Sequence, residues 1–354
     1  MATFGVLTGG GDCPGLNAVI RAVVRRGLID GHRFVGFHGG WLGMSEDDAV
    51  ELTLENTAGL VTRGGTILGT SRTDPLAEGP EGLRALQTTL DRHEISAVAV
   101  IGGDGTLGAA RDLWREGIPV VGIPKTIDND IGGTDFSVGF HTAVQTATDA
   151  TDRLHTTAES HNRVMVVEVM GRHAGWIAVC AGLAGGADMI LIPERPVSIS
   201  DACEHLRRRH AGSHRFSIVV VAEGAIVTDH GVQLAVTGDA DAVSQRGANH
   251  HPRSAHIPVG VGFLLGDEIE ARTGFDTRVT ILGHVQRGGT PVAIDRILAT
   301  RLGVAATEAM LNASFGRMMA LEGEHVVGVD LEEALAAPKL VDGDLYDVGS
   351  VFFG

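Results

Sequence analysis

Ala97-Val98-Ala99-Val100-Ile101-Gly102-Gly103-Asp104-Gly105-Thr106-Leu107-Gly108 is an unbroken apolar run that stops in glycines and a single carboxylate. Such a run suits a strand buried on both faces of a parallel sheet. Ala109, Ala110, Leu113 and Trp114 follow at helical spacing, so the segment is one βα unit. The same order opens the chain: an apolar strand from Phe4 to Leu7, the turn Gly9-Gly10-Gly11-Asp12, then a helix from about Asn17 to Arg26 with Ala18, Ile20, Ala22 and Val23. Val120 to Ile123 is the next strand, running into Pro124-Lys125-Thr126-Ile127-Asp128-Asn129-Asp130. All three polar loops fall beyond the carboxyl ends of their strands, where open parallel sheets bind ligands.

Further along, apolar strands are expected at Val164–Val169, Met189–Ile192, Ser217–Ala222 and Val279–Leu282, with helical stretches such as 142–154 between them. The alternation predicts an α/β chain of two Rossmann-like, three-layer α/β/α domains, with the active site in the cleft between them. Polar groups end these strands too: Met170-Gly171-Arg172, Glu223-Gly224, and Gly283-His284-Val285-Gln286-Arg287-Gly288-Gly289. The stretch 227–258 is polar and reads as a surface loop; its His250, His251 and His256 match no zinc spacing. Residues 331–335 are expected to be helical and 342–353 to close on the second domain.

Composition fits an enzyme. The 354 residues are 44% hydrophobic but only 4% aromatic and include 50 glycines, which favours a large core of small residues with many turns. A net charge of -16 repels nucleic acid and anionic membranes, so an anionic substrate needs a local cationic pocket. The three cysteines, Cys13, Cys180 and Cys203, are odd in number and far apart, as expected of a reducing compartment. Cys13 is taken as an ordinary small residue of a tight turn. No cleavable leader and no membrane-length apolar run is evident, and the expectation is a cytoplasmic protein.

Glycine loops let backbone N–H groups reach phosphate oxygens. Asp104, Asp128 and Asp130 would repel a polyphosphate unless a divalent cation lay between, which implies magnesium and phosphoryl transfer. Gly103 to Gly108 also fits G-x-G-x-x-G, but a carboxylate inside the loop has no metal partner in dinucleotide binding, and Asp128 sits in a dense acidic turn. A P-loop is excluded because no glycine precedes Lys125 or Lys339. Transfer to a hydroxyl needs a base and positive charge on the moving group. Asp128 is the candidate base, Asp104 the magnesium carboxylate, and Thr126, Arg72 and Arg172 the stabilisers of the phosphoryl. A lone Asp in a turn more often caps the turn, and a lone Arg more often makes a surface ion pair; three motifs on one rim outweigh that alternative. Arg163, Arg278, His284 and Arg287 border strands of the second domain and suit a phosphorylated acceptor.

At these residues the chain resembles the 6-phosphofructokinase family from Gly5 through about Leu302, in Gly5–Asn17, Gly102–Thr106, Thr126–Asp130, Val167–Arg172 and Leu282–Gly289. The resemblance implies phosphoryl transfer to the 1-hydroxyl of fructose 6-phosphate, with Mg2+ as cofactor and Asp128 as base. It implies donor binding by Gly11, Arg72, Gly103, Asp104, Gly105, Thr106 and Gly108. Sugar contacts would come from Thr126, Asp128, Asp130, Met170, Gly171, Arg172 and Glu223, and 6-phosphate contacts from Arg163, Arg278, His284 and Arg287. It further implies a larger nucleotide- and magnesium-binding domain of residues 1–140 plus about 288–325, and a smaller sugar-phosphate domain of about 141–287 plus 326–354. Family members build the site across subunits, so a homotetramer is expected, with Arg163 and Arg278 supplied by a neighbour.

Two positions bear on the donor. Gly105 is the residue of ATP-dependent members, whereas Lys125 is usual in pyrophosphate-dependent ones. Gly105 is given more weight here, since an acid there would exclude ATP whereas a flexible lysine near phosphates could swing aside or assist, so ATP is the expected donor and pyrophosphate the alternative. Arg21 and Arg25 match an effector site of bacterial relatives, but Leu54 and His155 replace arginines, which predicts a weak or altered effector response. A silent sugar-phosphate sensor would be expected to lose Asp128. NAD and lipid kinases share the Gly-Gly-Asp-Gly loop but leave the pattern around Met170 and His284 unexplained.

Overall fold

The computed structural model describes residues 1–77, 79–212, 215–234 and 260–353, so His250, His251 and His256 lie outside the described residues. The chain divides into two units, Met1–Ala143 with Arg287–Lys339, and Val144–Gln286 with Leu340–Gly354.

The first unit is built on β1 (Thr3–Thr8), β2 (Arg33–Phe37), β3 (Ala49–Leu52), β4 (Ile95–Gly102), β5 (Val120–Pro124), β13 (Arg317–Glu322) and β14 (His325–Asp330). They form one sheet in the order β14-β13-β5-β4-β1-β2-β3. The five central strands are parallel, and each edge is an antiparallel hairpin partner, β3 on β2 and β14 on β13. Its helices are α1 (Leu16–Ile29), α2 (Trp41–Glu46), α3 (Pro80–Arg92), α4 (Asp104–Arg115), α9 (Ala293–Leu311) and the short α10 (Leu331–Ala334). Val98 and Val100 of β4 and Leu7 of β1 are fully buried with Leu107, Leu113 and Met318 around them. Each such side chain contributes about 1.5–3 kcal/mol through burial. From β1 the chain builds outward to β2 on one side and later to β4 and β5 on the other. The crevice beyond β1 and β4 is therefore the topological switch point, where ligands of such sheets bind.

The second unit contains a parallel sheet in the order β12-β6-β9-β7, made of β6 (Val164–Val169), β7 (Met189–Leu191), β9 (Ser217–Ala222) and β12 (Thr277–Ile281). A small sheet joins β8 (Val197–Ser198), β10 (Val227–Asp229) and β11 (Val232–Gln233). The helices are α5 (Phe140–His161), which begins in the first unit, with α6 (Trp176–Ala184), α7 (Ile199–Ala211), α8 (Val261–Thr273) and α11 (Gly343–Ser350). Among the described residues no helix is long and apolar enough to cross a membrane. None of the three cysteines forms a disulfide.

Several expectations shift. Residues 326–339 belong to the first unit rather than the second, because β14 pairs with β13 from Glu322↔His325 to Arg317↔Asp330 and α10 buries Leu331 and Ala334 in the first core. The strand expected at Val279–Leu282 spans Thr277–Ile281, in register with Val164–Glu168, and the helix expected at 142–154 covers Phe140–His161.

Candidate active site

Three segments converge at the switch point of the first sheet. The Gly9 N–H donates to the Ile101 carbonyl at 3.0 Å and the Gly10 N–H to the Ser71 carbonyl at 2.9 Å. These two amides are part of the scaffold, so the expectation that they face phosphate is corrected. The Thr70 hydroxyl donates to the Gly10 carbonyl at 2.5 Å and the Ser71 hydroxyl to the Gly39 carbonyl at 2.6 Å. That lacing holds the segment bearing Arg72, whose side chain is exposed. Gly9 and Gly102 are glycines because Thr106 packs between them: a Cβ at Gly9 would lie 2.6 Å from Thr106 Oγ1, and one at Gly102 only 2.3 Å from Thr106 Cβ. Trp41 of α2 donates its indole N–H to the Thr106 carbonyl at 3.4 Å from below. Gly103 is the N-cap of α4, and Asp104 and Gly105 are exposed in the helix's first turn. A Cβ at Gly105 or Gly108 would meet nothing within 4 Å.

Lys125 is the clearest departure from expectation. It is 3% exposed, and its ammonium donates to the Gly9 carbonyl at 2.9 Å and to the Gly11 carbonyl. Burial, with the Arg287 guanidinium adding to it, holds the lysine below its ordinary 10.5; Asp12 and Asp104 oppose that shift. A lysine fixed in this way does not swing aside. Arg287 leans on the same loop, with Nη1 3.4 Å from the Asp12 carbonyl and 2.8 Å from where a Gly11 Cβ would stand. It thus lies against the first glycine loop, within the first unit. The Cys13 thiol donates to the Val138 carbonyl at 3.4 Å, and burial pushes it up to about 12, which makes it an inert packing residue.

The turn after β5 carries the carboxylates. The Asp128 N–H donates to Thr126 Oγ1 at 3.1 Å, a hydroxyl-centred turn that directs the threonine's own proton elsewhere. Asn129 adopts φ 53° in the left-handed region. Its side chain stabilises that strained geometry, accepting from the Ser137 N–H at 3.1 Å and donating to the Asp135 carbonyl at 3.3 Å. The Ser137 hydroxyl donates to the Thr126 carbonyl at 2.6 Å. Asn129 and Ser137 were not singled out from the sequence, where Asn129 sits between the two acids of the turn and Ser137 beyond it.

In the second unit, the carboxyl ends of β6, β9 and β12 bring together residues expected on the acceptor side. The Met170 N–H donates to Gln286 Oε1 at 3.3 Å, and the fully buried Gln286 returns a bond to the Gly283 carbonyl at 3.0 Å. Gly171 has φ 127°, and a Cβ there would lie 2.7 Å from the Ala174 carbonyl oxygen. The Glu223 N–H donates to the Val169 carbonyl at 2.8 Å and the Gly224 N–H to Gly171 at 3.2 Å, which sets Glu223 beside Met170 and Gly171. Arg172 and His284 are exposed. Below them, Glu168 is 7% exposed and accepts the Gly262 N–H at 2.6 Å at the start of α8. Burial raises its carboxyl above the ordinary value, and the charge of Glu223 adds to that.

Arg163 and Arg278 are not brought to this end. Arg163 immediately precedes β6, and Arg278 is in register with Met165, so both stand at the amino ends of strands whose carboxyl ends carry Met170 and His284. Six residue steps along a strand span about 20 Å. Both arginines meet Asp276, Arg163 Nε at 2.5 Å and Arg278 Nη1 at 2.6 Å, and the Arg163 bond draws the Asp276 carboxyl below its ordinary range.

The Phosphofructokinase family model matches residues 3–310. A pyrophosphate–fructose 6-phosphate 1-phosphotransferase of Amycolatopsis methanolica is 51% identical over 352 residues, 99% of each chain. An ATP-dependent 6-phosphofructokinase of Mycobacterium tuberculosis is 49% identical over 353 residues, again 99% of each. The solved phosphofructokinase of Saccharomyces cerevisiae superposes with a TM-score of 0.79 at 33% identity, covering 95% of this chain and 45% of that one.

Proposed function

The chain belongs to the phosphofructokinase family, a phosphotransferase family, and from that premise we propose that it transfers a phosphoryl group from pyrophosphate to the 1-hydroxyl of fructose 6-phosphate. The observation that carries the donor choice is Lys125, buried with its ammonium held on the carbonyls of Gly9 and Gly11. A fixed cation at the first glycine loop favours a short, charge-dense donor. The 51% identity to pyrophosphate-dependent relatives supports the same choice. It displaces the expectation of ATP, which weighted Gly105 above a Lys125 taken to be flexible. ATP remains a second reading on one specific ground: Gly105 leaves open space where an acid would oppose a nucleotide.

Asp128 receives the proton of the 1-hydroxyl as its oxygen bonds to the transferred phosphorus, and the bridging P–O bond of the donor breaks to release orthophosphate. Thr126, whose oxygen already accepts from the Asp128 N–H, directs its proton to the phosphoryl oxygens, with Arg72 and Arg172 adding charge there. Gly11, Gly103, Thr106 and Gly108 line the donor, and Asp130, Met170, Gly171, Glu223 and His284 the sugar phosphate. Among the described residues no group of three or more His, Cys, Asp or Glu is placed to hold a metal alone. That suits Mg2+, which usually takes one or two carboxylates and completes its shell from substrate phosphates, and Asp104 is the carboxylate available. When bound, it neutralises phosphate charge. The position of Arg163 and Arg278 at the far ends of their strands supports their service to another copy's acceptor, hence a homo-oligomer, a tetramer on the family pattern.

Initial rates with fructose 6-phosphate and Mg2+, comparing pyrophosphate with ATP at matched concentrations, test the assignment. Turnover on pyrophosphate is expected; turnover on ATP alone would reverse the donor, and none on either would remove the enzyme reading.

A further inference from the structure

We propose that Lys339 is a positioning residue for the acceptor carboxylates Asp128 and Asp130, a role that rests on fructose 6-phosphate as acceptor. After α10 the segment 335–339 runs against the turn that follows the acidic motif. The Lys339 N–H donates to the Asp130 carbonyl at 2.8 Å. Its ammonium donates to the Thr134 carbonyl at 3.0 Å and to the Asp135 carbonyl, and stands 5.7 Å from the centre of the Phe136 ring. The strap is pressed so close that side chains are excluded beneath it: a Cβ on Gly132 would come within 2.8 Å of the Ala334 carbonyl oxygen and 3.2 Å of that of Ala337.

Asn129 and Ser137 brace the Thr126 side of this loop from within, and the Leu321 and Gly323 amides fix Thr134 and Asp135 from the sheet edge. The Asp130 carbonyl is held by the backbone N–H of Lys339, and the ammonium pins that strap in place by charge-assisted bonds to the Thr134 and Asp135 carbonyls. Removing the ammonium frees the strap and so loosens the backbone that aims Asp130 and, two residues back, Asp128. The donor loops are held separately, by Lys125, Thr70 and Ser71.

The test is steady-state kinetics of Lys339→Met and Lys339→Arg beside the wild type, with thermal unfolding of each. For Lys339→Met the KM for fructose 6-phosphate is expected to rise about tenfold, the scale of one lost charge-assisted hydrogen bond, with the donor KM and unfolding temperature little changed. Lys339→Arg, which keeps the charge, is expected to restore most of the acceptor KM. Wild-type acceptor constants in Lys339→Met would overturn the proposal alone. So would acceptor and donor constants worsening together with a lower unfolding temperature, since that marks a structural part only. Absence of wild-type turnover on fructose 6-phosphate would remove the acceptor reading and this role with it.

Discussion

Lys125 shows how burial changes what a residue type can do. In the sequence it is a flexible cation beside an acidic turn; in the fold its ammonium is committed to two carbonyls of the opposite loop. Because burial depresses its proton affinity, the charge is lost as pH rises through a value below the ordinary 10.5. The donor kcat/KM is therefore expected to fall on the alkaline side, and Lys125→Met, already weak on pyrophosphate, to lack that limb; an unchanged alkaline limb in the variant would exclude Lys125 as its source. Asp128→Ser is expected to lower turnover by about 10²–10⁴-fold with fructose 6-phosphate binding largely kept, and unaltered turnover would exclude it as the base. Gly105→Asp has room for its Cβ, so the variant should fold, keep its pyrophosphate rate and lose any ATP rate; ATP kinetics that survive the added acid would refute the exclusion argument.

Between elements, buried carboxylates fasten the starts of helices. Asp295 of α9 is fully buried and takes the Gly139 N–H at 3.0 Å, the Thr142 N–H at 2.7 Å and the Thr142 hydroxyl at 2.5 Å, capping α5 from another helix. Asp295→Ala strands those donors and is expected to cost about 3 kcal/mol in denaturant unfolding; a loss under about 1 kcal/mol would show that water replaces the cap. Glu168 does the same for α8 with the opposite pH sense. Its folded pKa is raised above the ordinary 4.5, so its contribution is complete below that value and lost as pH rises through the folded one. Glu168→Gln should therefore flatten the fall in melting temperature across that window, and a parallel fall in wild type and variant would contradict it. This scale also separates what was legible in the sequence from what was not. β4, β5, β6 and β9 announce themselves as continuous apolar runs because both faces are buried. β3 and β14 do not, since an edge strand with exposed positions such as Glu51 and His325 carries too weak a pattern, and the strap at Lys339 leaves no local trace at all. The site motifs were legible because glycine and aspartate are forced by close backbone approach and by phosphate; the partners that aim them are ordinary Ser, Asn and Lys chosen by tertiary contact.

At the scale of the whole molecule, the ends of strands sort the residues proposed for the acceptor into two groups. Met170, Glu223 and His284 stand at carboxyl ends, Arg163 and Arg278 at amino ends, so subunits are expected to complement one another. Mixing Asp128→Ser with an Arg163→Ala/Arg278→Ala variant, then dissociating and reassociating the chains, should give activity well above either parent; no recovery would place the arginines outside any shared site. Each unit is also discontinuous in sequence, with β13 joining β5 across nearly two hundred intervening residues, a long-range pairing that slows folding. The strap carries this into protein synthesis. Asp130 leaves the ribosome early and Lys339 late, roughly ten to forty seconds apart at ordinary elongation rates. The nascent chain thus carries its acid turn unanchored through most of translation. A message cut short before codon 339 encodes every carboxylate of the reaction but not the clasp that aims them.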